Sequence, residues 1–204
     1  MDFIYLASQS PRRSQLLEQL GIQHQLLLPD AQENAESLEV AMHREAPRAY
    51  VQRVTHLKLD AALNRMARRG LPTAPVLSAD TTVALGRQIF GKPENSADAQ
   101  RILASLAGQT HRVITAIALA WDGRRVQRVS ESRVRFASLS DAEIACYVAS
   151  GEPMGKAGAY AVQGAAAAFI AHLSGSYSGI MGLPLFETAQ ALQSLGVSPC
   201  NKTF

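Results

Sequence analysis

Phe3-Ile4-Tyr5-Leu6-Ala7-Ser8-Gln9-Ser10-Pro11-Arg12-Arg13, followed by Ser14-Gln15-Leu16-Leu17-Glu18-Gln19-Leu20-Gly21, is the stretch that decides how the rest is read. Residues 3–7 form a short apolar run, the mark of a buried strand. Ser10 is a good N-cap, and Pro11 suits the first helical position, where its missing N–H is not needed. Leu16, Leu17 and Leu20 give the helix one apolar face, and Gly21 is placed to stop it. Strand, tight loop and helix therefore gather Ser8, Ser10, Arg12 and Arg13 at a helix N-terminus, beside the carboxyl end of a strand. Free N–H groups, the positive end of a helix dipole, hydroxyls and guanidinium forks together suit an anion. Two arginines in a first turn also oppose the dipole, by about 0.3–1 kcal/mol each. Simple solvation is the bland account of them; a bound anion is the account that this opposition favours.

Outward from that stretch, residues 23–28 read as a second strand and residues 29–34 as a polar loop holding Gln32 and Glu33. Pro47 opens a long helix that Gly70 ends, with Tyr50, Val51, Val54, Leu57, Leu59, Ala61, Ala62, Leu63 and Met66 on a broad helical period. Lys58 falls on or near its apolar face, where it either snorkels to water or reaches a phosphate in a cleft. Residues 75–84 are apolar and β-rich but contain Ser78, Asp80, Thr81 and Thr82. A carboxylate inside a buried strand is costly unless it is paired or coordinates a cation, so Asp80 stands out. The plainer alternative is an Asp that ends the strand early and caps a turn. Residues 88–90 give a short strand, Gly91-Lys92-Pro93-Glu94 a loop, and Ser96 a cap for a helix running to Leu106. Residues 110–121 and 125–136 are strand-like runs joined by Asp122-Gly123, a strong hairpin signal. Ser140-Asp141-Ala142-Glu143 is a capping box. After a Gly-rich loop over residues 151–164, residues 165–173 read as a strand, residues 175–179 as a turn, and Pro184 as the start of a last helix ending near Leu195-Gly196. The tail from Val197 reads as loose. Alternating strands and helices followed by a long antiparallel hairpin predict an α/β (mixed α+β) domain with a mixed sheet.

The chain has 204 residues, enough for one domain or a two-lobed unit with a sizeable core, and no repeat or linker divides it. Its 20 basic and 17 acidic residues leave a net charge of +3. The densest basic spots, Arg65/Arg68/Arg69 and Arg124/Arg125/Arg128, read as helix surface and hairpin, so nucleic-acid binding is not signalled. Cys146 and Cys200 are far apart and form no CxxC, which fits reduced thiols in a cytoplasmic protein. The N-terminus lacks the features of a signal peptide, and no apolar run reaches the roughly 18 residues of a membrane span.

The chain has no GxGxxG, Walker A, HExxH, GxSxG or EF-hand motif. Its five histidines, His24, His43, His56, His111 and His172, show no metal-ligand spacing and read as surface or structural. What remains is a set of anion binders, Arg12, Arg13, Lys58 and Lys92, against two carboxylates, Glu33 and Asp80. That mixture suits a polyphosphate held by protein cations with a divalent metal held by the acids, since Mg²⁺ takes one or two carboxylates plus phosphate oxygens and waters. Phosphoryl transfer is mostly positioning and charge neutralisation, so no covalent nucleophile is required.

These residues also carry a resemblance. Leu6-Ala7-Ser8-Gln9-Ser10-Pro11-Arg12-Arg13, Ser78-Ala79-Asp80-Thr81 and Phe90-Gly91-Lys92-Pro93 are similar to signatures of the Maf family of nucleoside triphosphate pyrophosphatases. Leu106-Ala107-Gly108-Gln109-Thr110-His111-Arg112-Val113 resembles its SGxTHxV segment, with Ala107 for the usual Ser. Residues 147–164 resemble its YxxxxEPxxKAGxYxIQG block, and residues 175–184 its GSYxxxxGLP block. The resemblance implies an elongated mixed β-sheet flanked by helices, in two lobes with a cleft, as one ITPase-like domain over residues 1–204. It implies a cytoplasmic homodimer that cleaves a nucleoside triphosphate to the monophosphate and pyrophosphate with Mg²⁺ or Mn²⁺. It assigns Asp80 as the proton acceptor that activates water, Arg12, Thr81 and Gln163 to substrate choice, and Ser8, Arg13, Lys58 and Lys92 to the phosphate site. Gln32-Glu33 departs from the family's commoner Asp-Glu pair, which leaves Glu33, with Asp80, to hold metal.

Gln163 points to the base. A uracil or thymine ring shows an N3–H donor beside carbonyl acceptors, and a primary amide offers one of each in return. The family's branch that cleaves 7-methyl-GTP tends to carry Gln after the Asp and Glu in place of Gln163, so Thr81 and Gln163 favour dTTP and UTP, with modified pyrimidine nucleotides also admissible. The alternatives are that 7-methyl-GTP enzyme and, from another class, a nucleotide-binding regulator of cell division without relevant turnover. Glu33 and Asp80 argue against the regulator, because a pure anion binder gains nothing from carboxylates beside phosphate.

Overall fold

The computed structural model describes residues 3–30, 33 and 36–197; Gln32, Cys200 and the tail beyond Val197 lie outside them. Among the described residues the order is β1 (Ile4–Ala7), α1 (Pro11–Gln19), β2 (His24–Leu26), α2 (Pro47–Arg68), β3 (Val76–Leu85), β4 (Gln88–Phe90), α3 (Ser96–Leu106), β5 (Thr110–Trp121), β6 (Arg124–Phe136), α4 (Asp141–Ala149), β7 (Ile170–Ser174), α5 (Tyr177–Met181) and α6 (Leu185–Ser194). The strands form one mixed, seven-stranded sheet in the order β2-β1-β3-β5-β6-β7, with β4 also on β3. β1 runs parallel to β2 and β3, and the other pairings are antiparallel.

Strand periodicity sorts the core. On β5, Ile117 and Leu119 join Leu16, Leu17, Ala191 and Leu192 beneath α1 and α6. Ile114, Ala116, Ala118 and Ala120 point the other way, towards α2. Small alanines on that face let the long helix sit close to the sheet. At the far end of β3 and β5, Val83, Phe90, Val113 and Phe136 pack with Leu103 of α3 and Ile144 of α4 in a separate cluster. The two lobes are thus two packed ends of one long sheet.

Local chemistry explains most boundaries. Asp122 (φ 48°) and Gly123 (φ 71°) both take the left-handed conformation that a two-residue hairpin turn needs. Ser140 and Glu143 form the expected capping box. Other expectations are corrected. The second strand is only three residues, and Asn95, not Ser96, caps α3 by accepting from the Asp98 N–H at 2.9 Å. Residues 165–169 are a 3-10 turn before β7 begins at Ile170, because a run of alanines lacks the branched side chains that favour a strand. The expected turn at residues 175–179 opens a short helix, α5, capped by the Ser176 hydroxyl on the Gly179 N–H. Val197 is buried against the α1–α6 cluster.

Candidate active site

β3 is paired with β5 along most of its length, but its other edge is shared. β1 pairs with it over Val76, Leu77 and Ser78, and β4 over Val83, Ala84 and Leu85. Between them, residues 79–82 meet no strand on that side among the described residues. A cavity of about 520 Å³ opens over this gap, within the usual range for small-molecule sites. It brings together Ser8, Arg12, Arg13, Lys58, Asp80, Thr81, Lys92 and Gln163 from along most of the chain.

Alternation along β3 gives neighbouring residues different jobs. Asp80 faces the α2 side and is only 6% exposed. Its Oδ1 accepts from Lys58 Nζ at 2.5 Å. The same ammonium donates to Glu39 Oε1 at 2.8 Å, and Lys92 Nζ donates to Glu39 Oε2 at 3.0 Å. Lys58 thus reaches into the cleft instead of snorkelling outward. Burial raises the Asp80 carboxyl above its ordinary pKa, and Lys58 and Arg13 only partly offset it. Burial also pushes Glu39 upward, but Lys58 and Lys92 together win, so its carboxyl ends below the ordinary range.

Thr81 faces the α1 side. It accepts from Arg13 Nη2 at 3.2 Å and donates to Thr115 Oγ1 at 2.9 Å, and Thr115 donates in turn to the Gly179 carbonyl at 2.7 Å. Arg13 also donates to Ser8 Oγ at 3.1 Å and to the Gly182 carbonyl at 2.7 Å. Burial lowers the Arg13 pKa, yet a guanidinium starts so high that it stays charged. Arg12 makes one long bond, Nε to the Met181 carbonyl at 3.4 Å, which leaves its other donors for a ligand. Ser10 and Pro11 hold the N-cap and first helical positions, but the Ser10 hydroxyl makes no cap bond, so the N-terminus of α1 is left open. Gln163 is exposed on the cleft wall, and its amide has no partner among the described residues.

Glu33 sits on arginines of α2. It does not line the cavity; Arg65 donates to both its oxygens at 2.9 and 2.6 Å, and Arg68 adds a third bond at 2.7 Å. Arg65 is 4% exposed and needs a carboxylate there, and its hydrogen bond leads the causes that lower the Glu33 pKa to about 2. Glu39 is the carboxylate beside Asp80 instead. Nothing in the sequence pattern singled it out among Glu33, Glu36, Glu39 and Glu45. Lys156, another cation lining the cavity, was also missed, although it sits inside a quoted block.

Asp80 and Glu39, bridged by one ammonium, form a pair of hard oxygen donors opening on a cationic cleft. That set fits Mg²⁺ or Mn²⁺, whose remaining ligands are phosphate oxygens and waters. A closed protein cage is not offered, since among the described residues no group of three or more His, Cys, Asp or Glu converges. The gap in the sheet, the cationic wall and the buried carboxylate suit a nucleotide polyphosphate.

Residues 3–195 match the family described as Maf-like protein, and the chain belongs to that family. Among curated relatives, a protein of Albidiferax ferrireducens named dTTP/UTP pyrophosphatase is 68% identical over 195 residues, covering 96% of this chain and 98% of its own. Proteins of the same name from a Polaromonas species and from Ralstonia nicotianae are 61% and 57% identical, each over 96% of this chain and 97% and 95% of their own.

Proposed function

We propose that this chain is a nucleoside triphosphate pyrophosphatase that hydrolyses dTTP and UTP to the monophosphate and pyrophosphate. The observation that carries the reading is the buried Asp80 in the gap of the sheet, with Arg12, Arg13, Lys58, Lys92 and Lys156 on the same cavity. The names of the relatives supply the substrate class.

In this reading the cations hold the triphosphate and the Asp80 carboxylate takes a proton from a water. The water oxygen bonds to the α-phosphorus as the bond from that phosphorus to the bridging oxygen breaks, and pyrophosphate leaves. A base with a raised pKa is a stronger proton acceptor, and burial gives Asp80 that property. Arg13 is held by three partners, Gly182, Ser8 and Thr81, before substrate arrives, so it orients phosphate with little reorganisation. Asp80 and Glu39 would hold a divalent cation, which neutralises charge on the phosphates when bound. Thr81 acts on substrate choice through Arg13, because its hydroxyl is committed to Arg13 and Thr115. Gln163 has an unpartnered amide to read the pyrimidine edge. Among the described residues no helix is long and apolar enough to cross a membrane; a cytoplasmic homodimer belongs to the same reading.

The test is pyrophosphate release from dTTP, UTP, CTP, GTP and 7-methyl-GTP, with Mg²⁺ or Mn²⁺ and with EDTA. Release from dTTP and UTP that EDTA abolishes is expected, and Asp80→Asn is expected to cut kcat by about 10²–10⁴ while nucleotide still binds. Release from 7-methyl-GTP alone would overturn the base assignment. Turnover unchanged in Asp80→Asn would remove Asp80 from the chemistry.

A further inference from the structure

Gln163 sits near the end of a loop whose closure is built by one carboxylate. Glu152 opens the loop, and its Oε2 accepts from the Ala165 N–H at 3.0 Å, so the two ends are tied together. Its Oε1 accepts from the Tyr147 hydroxyl of α4 at 2.8 Å, which anchors the tie to the packed lobe. The Glu152 carbonyl also accepts from Lys156 Nζ. Gly164, directly after Gln163, lies against the same carboxylate: a Cβ there would fall 2.2 Å from Oε1. Further back, the Gly158 N–H donates to the Gly91 carbonyl at 3.0 Å, and the Tyr160 hydroxyl pairs with His111 Nε2 at 2.9 Å. Those two contacts hold the middle of the loop. Nearer Gln163, the Gly164 N–H donates to the Ala161 carbonyl at 3.1 Å and Val162 and Ala166 are buried in the core, while Glu152 supplies the side-chain tie just beyond Gln163.

We infer that Glu152 is a specificity-determining positioning residue: its carboxylate, seated on the bare Cα of Gly164 and the N–H of Ala165, fixes where the Gln163 amide meets the base. It touches no phosphate and takes no part in proton transfer. This inference rests on the proposal that Gln163 reads the pyrimidine. The carboxylate has two acceptor oxygens for two donors in different elements. A neutral amide keeps one oxygen for the Ala165 N–H and turns its other end into a donor, so the bond with the Tyr147 hydroxyl has to reverse. Loss of the tie frees residues 163–165 to shift, and small misplacements of an orienting group are costly in selectivity.

The experiment measures kcat and KM for UTP, dTTP, CTP and GTP, with melting temperatures, for the full-length protein and for Glu152→Gln, Glu152→Ala, Gly164→Ala and Gln163→Ala. Glu152→Ala is expected to lower the UTP-over-GTP ratio of kcat/KM by about tenfold, chiefly through KM for UTP, with kcat for UTP within about threefold of the parent. Gly164→Ala, which evicts the carboxylate from the other side, is expected to reproduce that change, and Glu152→Gln to give a smaller one. A selectivity ratio unchanged in Glu152→Ala and Gly164→Ala, whatever happens to the melting temperature, overturns the inference. Gln163→Ala separates the two layers: if it alone relaxes selectivity, Gln163 reads the base but Glu152 does not position it. If Gln163→Ala leaves selectivity intact, the reading of Gln163 itself fails.

Discussion

His111 should make the fold sensitive to mild acid. It is fully buried on β5, edge-on to Phe136 at 4.9 Å and to Tyr160 at 5.5 Å, and its Nδ1 has no hydrogen-bond partner among the described residues. Burial depresses its pKa to about 4, against 6.5 for a free imidazole. Between those two values the unfolded chain holds the proton and the folded one does not, so acid favours unfolding. The stabilisation is complete above pH 6.5, is lost as pH falls towards 4, and changes no further once both states are protonated. At about 1.36 kcal/mol per pH unit of difference, the whole window is worth roughly 3 kcal/mol, and the step from pH 7 to pH 5 about 2 kcal/mol. For a chain of this size that is about 4–8 °C in melting temperature. The assay is urea or thermal denaturation of the parent and of His111→Gln at both pH values. Gln can still exchange a hydrogen bond with the Tyr160 hydroxyl but does not titrate. Every other ionisable group is shared, so the difference between the two curves isolates His111. The parent is expected to lose about 2 kcal/mol more than the variant over that step; parallel curves would refute the reasoning.

Two other predictions follow from the same geometry. Glu39→Gln is expected to cut metal-dependent kcat/KM by about tenfold or more at a nearly unchanged melting temperature, whereas Glu33→Gln, which leaves the buried Arg65 guanidinium without its opposite charge, is expected to cost about 1–3 kcal/mol of stability and spare turnover; the reverse pattern in paired kinetics and melts would return Glu33 to the site. Gly158→Ala is expected to destabilise by about 2–4 kcal/mol in urea titrations, because φ is +71° there and the new Cβ would lie 2.7 Å from Val83 Cγ2; a variant as stable as the parent would show that the loop moves freely off β3.

What was legible in the sequence was whatever local chemistry decides. Asp122-Gly123 set the long hairpin because its two left-handed residues need no help from elsewhere. Ser140 and Glu143 did the same for α4. Asp80 was legible because a carboxylate among buried apolar residues demands a partner, and the partner is Lys58. The misses are places where tertiary contacts overrule local preference. Gly175 and Gly179 argued for a turn, yet Gly179 sits in a short helix capped by Ser176, where a Cβ would crowd Ser176 at 3.1 Å and Ser130 Oγ at 3.3 Å. The choice between Glu33 and Glu39 depends on where a polar, non-periodic loop crosses α2, and spacing alone carries no information about that crossing.

The pairing of Asp80 with Thr81 shows why adjacent residues in the signature have unlike roles. A strand turns successive side chains to opposite faces, so Asp80 meets the ammonium of α2 and Thr81 meets the guanidinium of α1. Elsewhere on β3 those faces are sealed by helices. Only between Ala7, where β1 ends opposite Ser78, and Phe90, where antiparallel β4 ends opposite Val83, is that edge open, so a ligand entering there reaches both. Asp80 and its cations lie on one side, and the relay from Arg13 through Thr81 and Thr115 to Gly179 lies on the other. The relay fixes Arg13 to α5, the helix that leads into Gly182. Substitution at Thr81 is therefore expected to act by moving Arg13, the side chain to which its hydroxyl is committed.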